Sequence, residues 1–195
     1  MTTILLAEDN RSTRTLIREI LAATDYELLE ATDGREAMRI CENSPPDLVI
    51  LDLNLPDLAN QGNRNALSGL EVARGLQKTI PFIVLTVDKS MDSLRSAIAA
   101  GAYNYLVKPI NPDNLVPSIE VTLARSMERM NSEREQFISR AEGILMATHQ
   151  CSESAAKQAI RSMASTERRK AYEVAQEIIQ AQGSLNRLAC LMKKP

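Results

Sequence analysis

Five side chains that could perform phosphoryl transfer stand at the ends of short apolar runs in the first 110 residues. They are Glu8, Asp9, Asp52, Thr86 and Lys108. Three carboxylates brought together repel one another unless a cation joins them, and oxygen ligands without His or Cys suit Mg²⁺. With Mg²⁺ and Lys108 neutralising charge, Asp52 could attack a phosphoryl donor and form an acyl phosphate. Thr86 could donate a hydrogen bond to a phosphoryl oxygen.

Each of these residues also has an ordinary structural interpretation. Asp9 or the adjacent Asn10 could cap a helix, and Asp52 could cap a loop. Pro109 would suit a sharp turn, with a cis peptide bond as one way to form it, and this turn would direct Lys108 inward. A Lys-Pro pair alone, however, indicates little. The phosphoacceptor hypothesis depends on all five residues together, because each falls at the end of a predicted strand.

The elements that must position these residues alternate between strands and helices. Apolar runs typical of strands buried on both faces occupy residues 4–7, 28–29, 48–51, 82–85 and 105–107. Helical patterns intervene over residues 11–23, 34–43, 69–78 and 90–100. The alternation predicts an α/β fold with a doubly wound, five-stranded parallel sheet, whose ligands bind beyond the carboxyl ends of the strands.

From residue 113 onward the strand pattern gives way to a long helical one, which ends near residue 148. Its apolar or small positions recur close to a heptad: Val116, Leu123, Met127, Met130, Phe137, Ala141 and Ile144. The pattern predicts either a dimeric coiled coil or an amphipathic helix packed on its own domain.

Further helices are predicted over 153–164 and 167–182, with a short one over 184–192. Ser152 and Thr166 are the expected N-caps of the first two, and Gly183 is expected at the C-terminus of the second.

Charge and composition narrow the classes of function. Residues 1–124 hold 11 Lys and Arg against 17 Asp and Glu, whereas residues 141–195 hold 8 against 5, so a polyanion partner would meet the C-terminal part. Three scattered cysteines and one histidine disfavour a zinc cluster or a hydrolase. No signal peptide and no apolar stretch near the length of a membrane span is present, so we expect a soluble, cytoplasmic protein without a membrane partner.

The motifs ILLAEDN, VILDLNLPD, IVLT and YNYLVKP give residues 1–124 a specific resemblance to the receiver domain of two-component response regulators. The resemblance implies a flavodoxin-like fold, a sensor histidine kinase as partner, and no enzyme activity beyond phosphoryl transfer to Asp52 and its hydrolysis. It assigns metal binding to Glu8, Asp9, Asp52 and the backbone carbonyl of Asn54, a switch hydroxyl to Thr86, phosphate sensing to Lys108, and an aromatic switch to Tyr105. The alternative for Tyr105 is a half-buried aromatic at the sheet edge.

Two departures from the receiver pattern stand out. About nine residues are inserted before Gly69, within the polar segment 57–68, and Val87 follows the switch threonine where a small residue is usual. The larger side chain could slow phosphate entry or hydrolysis.

The ordered series AEGILM, SESAAKQAIRSMA and RRKAYEVAQEII resembles the ANTAR domain of transcription antitermination regulators, over about residues 130–185. The resemblance implies a three-helix bundle on a coiled-coil stem that dimerises, binds paired hairpins in nascent RNA and prevents a terminator stem from forming. Its expected RNA contacts are Arg161, Arg169 and Lys170, with Lys157 and Arg168 on the same basic face. Glu142 stands where the family typically has Lys.

The predicted organisation is a receiver domain over 1–124, a linking helix over 113–140 and an RNA-binding domain over 130–192. The alternatives are an output domain that binds duplex DNA or a protein, and on charge alone the basic residues could be the solvated face of a small bundle.

Overall fold

The computed structural model describes residues 1–55, 68–76, 80–87, 95 and 97–192. The chain divides into two compact units, Met1–Met127 and Glu128–Pro195. Most of the predicted insertion at 57–68 lies outside the described residues.

The first unit contains a five-stranded sheet. Its strands are β1 (Thr2–Ala7), β2 (Tyr26–Ala31), β3 (Leu48–Asp52), β4 (Phe82–Thr86) and β5 (Asn104–Val107). All neighbouring strands are parallel, in the order β2-β1-β3-β4-β5. The predicted five-stranded parallel sheet is therefore confirmed.

Helices cover both faces of this sheet because alternate strand residues point to opposite sides. They are α1 (Arg11–Leu21), α2 (Gly34–Asn43), α3 (Gly69–Leu76) and the beginning of α4 (Pro112–His149). Leu5, Val49 and Val84 pack on the side of α2 and α3. Ile4, Ile50 and Leu85 pack on the side of α1 and α4. Within the helix predicted over 90–100, residues 95 and 97–99 are helical. Residues 90–94 and 96 lie outside the described residues.

The second unit is a three-helix bundle. It is formed by the end of α4 with α5 (Glu153–Glu167) and α6 (Ala171–Met192). Its core consists of small and branched side chains from all three helices: Ala141, Ile160, Ala164, Val174 and Ala175. The Arg134 guanidinium lies 4.9 Å from the centre of the Tyr172 ring, which adds a cation–π contact between α4 and α6.

Helix α4 is 38 residues long, which confirms the long predicted helix. Much of its heptad-like seam packs within its own units: Val116 and Leu123 against the sheet core, Phe137 and Ala141 in the bundle. Met127 and Met130 are exposed, within a stretch from 127 to 133 that is exposed on every side. Packing on its own domain thus explains both ends of the pattern, and a coiled coil remains a prediction for the stretch between them.

The helix boundaries in the bundle differ from those predicted in two places. The Ser152 side chain accepts a hydrogen bond from the Ala155 N–H, which confirms it as an N-cap. Thr166 is not a cap: it lies inside α5, and its hydroxyl donates to the Ser162 carbonyl. Helix α5 ends instead at Glu167, and Arg168 caps it in the left-handed conformation. The prediction that a helix ends at Gly183 is wrong, because α6 continues through this residue to Met192.

Within the described part of the chain, no helix is both long enough and apolar enough to cross a bilayer.

Candidate functional site

The ends of four parallel strands bring the five predicted site residues to one edge of the sheet. Glu8 and Asp9 follow β1, and Asp52 is the last residue of β3. Thr86 ends β4 and is paired in register with Val107, directly before Lys108. The Lys108 N–H donates to the Thr86 carbonyl at 2.7 Å. The peptide bond between Lys108 and Pro109 is cis.

The Lys108 ammonium lies between two buried carboxylates. Its Nζ is 2.6 Å from Asp52 Oδ2 and 2.5 Å from Glu8 Oε2. Glu8 and Asp52 are buried, and the Lys108 side chain is only 15% exposed. The structure therefore joins a phosphoacceptor candidate to a desolvated positive charge, as phosphoryl transfer requires.

Burial and neighbouring charge shift the pKa values of this cluster. Burial raises the pKa of Glu8, and the Asp52 charge adds to this, while Lys108 opposes it. Burial alone lowers the pKa of Lys108, but its contacts with Asp52 and Glu8 outweigh burial and leave that pKa raised. Lys108 is thus held as an ammonium at neutral pH.

A divalent cation fits this cluster. One ligand oxygen from each of Glu8, Asp9 and Asp52 can be chosen so that all lie within 4.8 Å of one another. Glu8 Oε2 is buried and, among the described residues, accepts no hydrogen bond of good geometry despite the nearby ammonium. Asp52 Oδ1 accepts from the Asn54 N–H at 2.8 Å. A set of three carboxylates, all oxygen ligands, suits Mg²⁺ rather than a softer metal.

The remaining receiver positions lie around this edge. Thr86 is buried at the end of β4. Val87, which follows it, is 64% exposed, and Tyr105 on the edge strand β5 is 43% exposed. Asn10 is the N-cap of α1, since its side chain accepts from the Ser12 and Thr13 N–H groups. The capping alternative therefore holds for Asn10.

Arg14 is a further residue of this site that the sequence motifs do not indicate. Its guanidinium donates hydrogen bonds to the backbone carbonyls of Glu8 and Asp9. The sequence offers one weak signal, a long cation in the first turns of the helix that follows the acidic pair. Side chains on a helix lean toward its N-terminus, so such a residue can reach back to the preceding loop.

The predicted RNA-contacting residues lie on α5 and on the turn to α6. Lys157 forms an ion pair with Glu153 one helical turn away. Arg169 Nη1 lies 2.7 Å from Glu167 Oε2 and 2.6 Å from Glu177 Oε2. Within the described part of the chain, the side chains of Arg161, Arg168 and Lys170 form no ion pair and are exposed. The five cations are therefore of two kinds, three open to a ligand and two already neutralised.

Two further features of the bundle concern the same surface. A groove of about 680 Å³ runs along α5, lined by Glu153, Ser154, Lys157, Gln158, Arg161 and Ser162. Glu142 is buried on α4, and its charge contributes to a raised pKa of Lys157, after the larger effect of Glu153. The acidic residue at this position thus acts on a basic residue of the surface.

Comparison with known proteins divides the chain in the same way. A model of the response regulator receiver domain matches residues 4–120, and a model of the ANTAR domain matches residues 128–179. The transcriptional regulatory protein PdtaR of Mycobacterium tuberculosis is 31% identical over 195 residues, covering 93% of this chain and 91% of that protein. The response regulator MprA of Mycolicibacterium vanbaalenii is 34% identical over 126 residues, or 63% of this chain and 51% of that protein.

Solved structures with a similar fold match the first unit. The chemotaxis protein CheY4 of Vibrio cholerae superimposes with a TM-score of 0.55 at 28% identity, over 63% of this chain and 98% of its own. A CheY-like receiver domain protein from Methanospirillum hungatei gives a TM-score of 0.57 at 25% identity, over 66% and 98%.

Proposed function

This chain belongs to the response regulators that join a receiver domain to an ANTAR domain, and on that premise we propose that phosphorylation of Asp52 controls RNA binding by the helical bundle. The observation that carries the proposal is the Lys108 ammonium held between Asp52 and Glu8. It gives the acceptor carboxylate both a counter-charge and a buried setting. The bundle in the same chain supplies three exposed cations that form no ion pair among the described residues.

The residues of the sheet edge would perform the transfer as follows. One oxygen of Asp52 attacks the phosphorus atom of a phosphohistidine on a sensor kinase, and the P–N bond breaks as the acyl phosphate forms. Mg²⁺ held by Glu8, Asp9, Asp52 and the Asn54 carbonyl would neutralise charge on the phosphoryl oxygens. Lys108 stays beside the phosphoryl group and Thr86 donates a hydrogen bond to it. Water later hydrolyses the acyl phosphate, and we propose no other catalytic activity.

The output would be hairpin RNA in nascent transcripts, held so that a terminator stem does not form. A-form stems hide their base edges in a deep groove, so the bundle would contact phosphates and loop bases. Arg161, Arg168 and Lys170 are the cations we assign to phosphates first. Lys157 and Arg169 must release their carboxylate partners before they can bind RNA phosphates.

Dimerisation would present two bundles to two hairpins. The exposed stretch 127–133 of α4, with Met127 and Met130, supports a contact with a second copy. Pairing two weak sites raises the overall affinity without new contacts in either site. Phosphorylation would favour the dimeric state through the two-state behaviour of the receiver.

A binding experiment with a labelled two-hairpin RNA tests the function. We expect tighter binding after treatment with a small phosphodonor and Mg²⁺, and no such gain in the Asp52→Ala variant. Hairpin RNA should compete and duplex DNA should not. Absence of binding in every state, against a diverse hairpin pool as well, would overturn the RNA function in favour of a docked protein. Equal binding in all states would keep RNA binding and remove Asp52 as its control.

A matched pair of variants tests whether the cations without an ion pair contribute more to RNA binding than the paired ones. Arg161→Ala should weaken RNA binding and lower the slope of log affinity against log salt by about one, because one phosphate contact is lost. Arg169→Ala should change both less, since Glu167 and Glu177 already neutralise that guanidinium. Filter binding across a salt series measures both effects. A larger loss for Arg169→Ala would contradict the assignment.

A further inference from the structure

Arg14 links helix α1 to the backbone of the acidic pair. Its Nη1 donates to the Glu8 carbonyl at 2.9 Å and to the Asp9 carbonyl at 2.7 Å. Both acceptors are main-chain atoms, so the contact fixes two successive peptide groups rather than one side chain. Those peptide groups carry the two carboxylates that β1 delivers to the cation site.

The rest of the loop is tied down around the same residue. The Glu8 N–H donates to the Ala31 carbonyl, and the Asn10 N–H donates to Glu8 Oε1 at 3.1 Å. These contacts do not involve the carbonyl groups of residues 8 and 9. Arg14 fixes both carbonyl groups by donating hydrogen bonds to them. Asp9 is exposed, and its backbone has no strand to hold it, so it depends on this contact most.

Glu30 on β2 holds the guanidinium in place. Arg14 Nε lies 3.6 Å from Glu30 Oε2, while Arg18 binds the same carboxylate through two hydrogen bonds of 2.7 and 2.8 Å. The Arg14 side chain is 15% exposed and that of Arg18 is 54% exposed. The two arginines therefore share an anchor, but only Arg14 reaches the loop.

We propose that Arg14 is a positioning residue that holds the backbone of Glu8 and Asp9 so that both carboxylates face the cation. The inference rests on the proposed Mg²⁺ site. Residues behind the direct ligands commonly change metal affinity by about 10–100-fold when removed. The charge of Arg14 alone would act in the opposite direction, because a guanidinium near the site repels a cation. The sign of the change in affinity therefore separates positioning from charge.

The test measures Mg²⁺ affinity in the unphosphorylated full-length protein. Amide chemical shifts in NMR report binding directly, which suits a chain without tryptophan. The variants are Arg14→Gln, Arg14→Lys and the matched control Arg18→Gln, each checked for cooperative unfolding. We expect Arg14→Gln to bind Mg²⁺ about 10–100-fold more weakly. The Mg²⁺ affinity of Arg14→Lys should fall between those of Arg14→Gln and the wild type. The Mg²⁺ affinity of Arg18→Gln should stay within about twofold of the wild-type value.

Other results would overturn the proposal in distinguishable ways. Tighter binding of Mg²⁺ by Arg14→Gln would leave only a charge effect, and unchanged binding would show that Arg14 does not position the loop. An equal loss in Arg18→Gln would assign the effect to Glu30 and helix α1 as a whole. If Arg14→Gln does not fold, wild-type affinity in Arg14→Lys is the result that refutes positioning. Absence of Mg²⁺ binding by the wild type would instead overturn the metal site itself.

Discussion

The Gly69→Ala variant is expected to lose both receiver stability and most of its phosphorylation rate. A Cβ atom on Gly69 would lie 2.2 Å from the Asp52 carbonyl oxygen and 2.7 Å from the Leu53 Cα, both rigid backbone. Helix α3 cannot move aside freely, because its residues Val72, Ala73 and Leu76 are buried in the core against the sheet. Forced overpacking of this kind costs about 1–3 kcal/mol. Relief must come from the backbone of Asp52, the proposed phosphoacceptor.

Gly75→Ala is the matched control on the same helix. Its Cβ would meet the methyl and sulfur of Met38 at 3.0 and 3.3 Å, and this flexible side chain can shift. Alanine also gains about 0.5–1 kcal/mol over glycine inside a helix, so we expect little change or a small gain. Urea unfolding and the rate of acetyl-phosphate labelling measure both variants. Equal behaviour of the two would refute the close approach at Gly69.

The strands and the cluster of charged residues around Asp52 were predictable because two simple rules applied. Apolar runs without alternation indicated a parallel sheet, and parallel strands end at one edge. Glu8, Asp52 and Lys108 meet there as the sequence predicted. Arg14 was only weakly indicated by its place in the first turns of α1, since its acceptors are backbone carbonyls, which every residue type has.

The bundle shows where local rules fail. Thr166 has the chemistry of an N-cap, but the turn between α5 and α6 forms two residues later, at Arg168. Arg168 adopts the left-handed conformation, which residues other than glycine rarely take. The pair of Glu153 and Lys157 is legible as an i,i+4 spacing. The pair of Arg169 and Glu177 is not, since it forms across the start of α6. A heptad-like seam, likewise, has the same spacing whether it contacts its own domain or a second copy.

The Lys108→Met variant is expected to make the stability of the receiver depend strongly on Mg²⁺. Methionine fills a similar volume but leaves the buried carboxylates of Glu8 and Asp52 without the ammonium 2.5–2.6 Å away. Removing one partner of a buried ion pair costs about 3–5 kcal/mol, because the remaining charge keeps its desolvation penalty. We therefore expect a loss of that size in Mg²⁺-free buffer.

Excess Mg²⁺ should restore most of this loss, because a cation bound only by the folded state stabilises it in proportion to the logarithm of its concentration over its Kd. Near-ultraviolet circular dichroism can follow the first unit, which holds three of the four tyrosines. Lys157→Met is the control, since that exposed lysine pairs with Glu153 on a helix surface. Its stability should respond to Mg²⁺ as that of the wild type does, because its cation site is intact. A loss in Lys108→Met that Mg²⁺ leaves untouched would mean that Lys108 supports the fold by packing. Restoration would mean instead that the ammonium and the metal satisfy the same carboxylates.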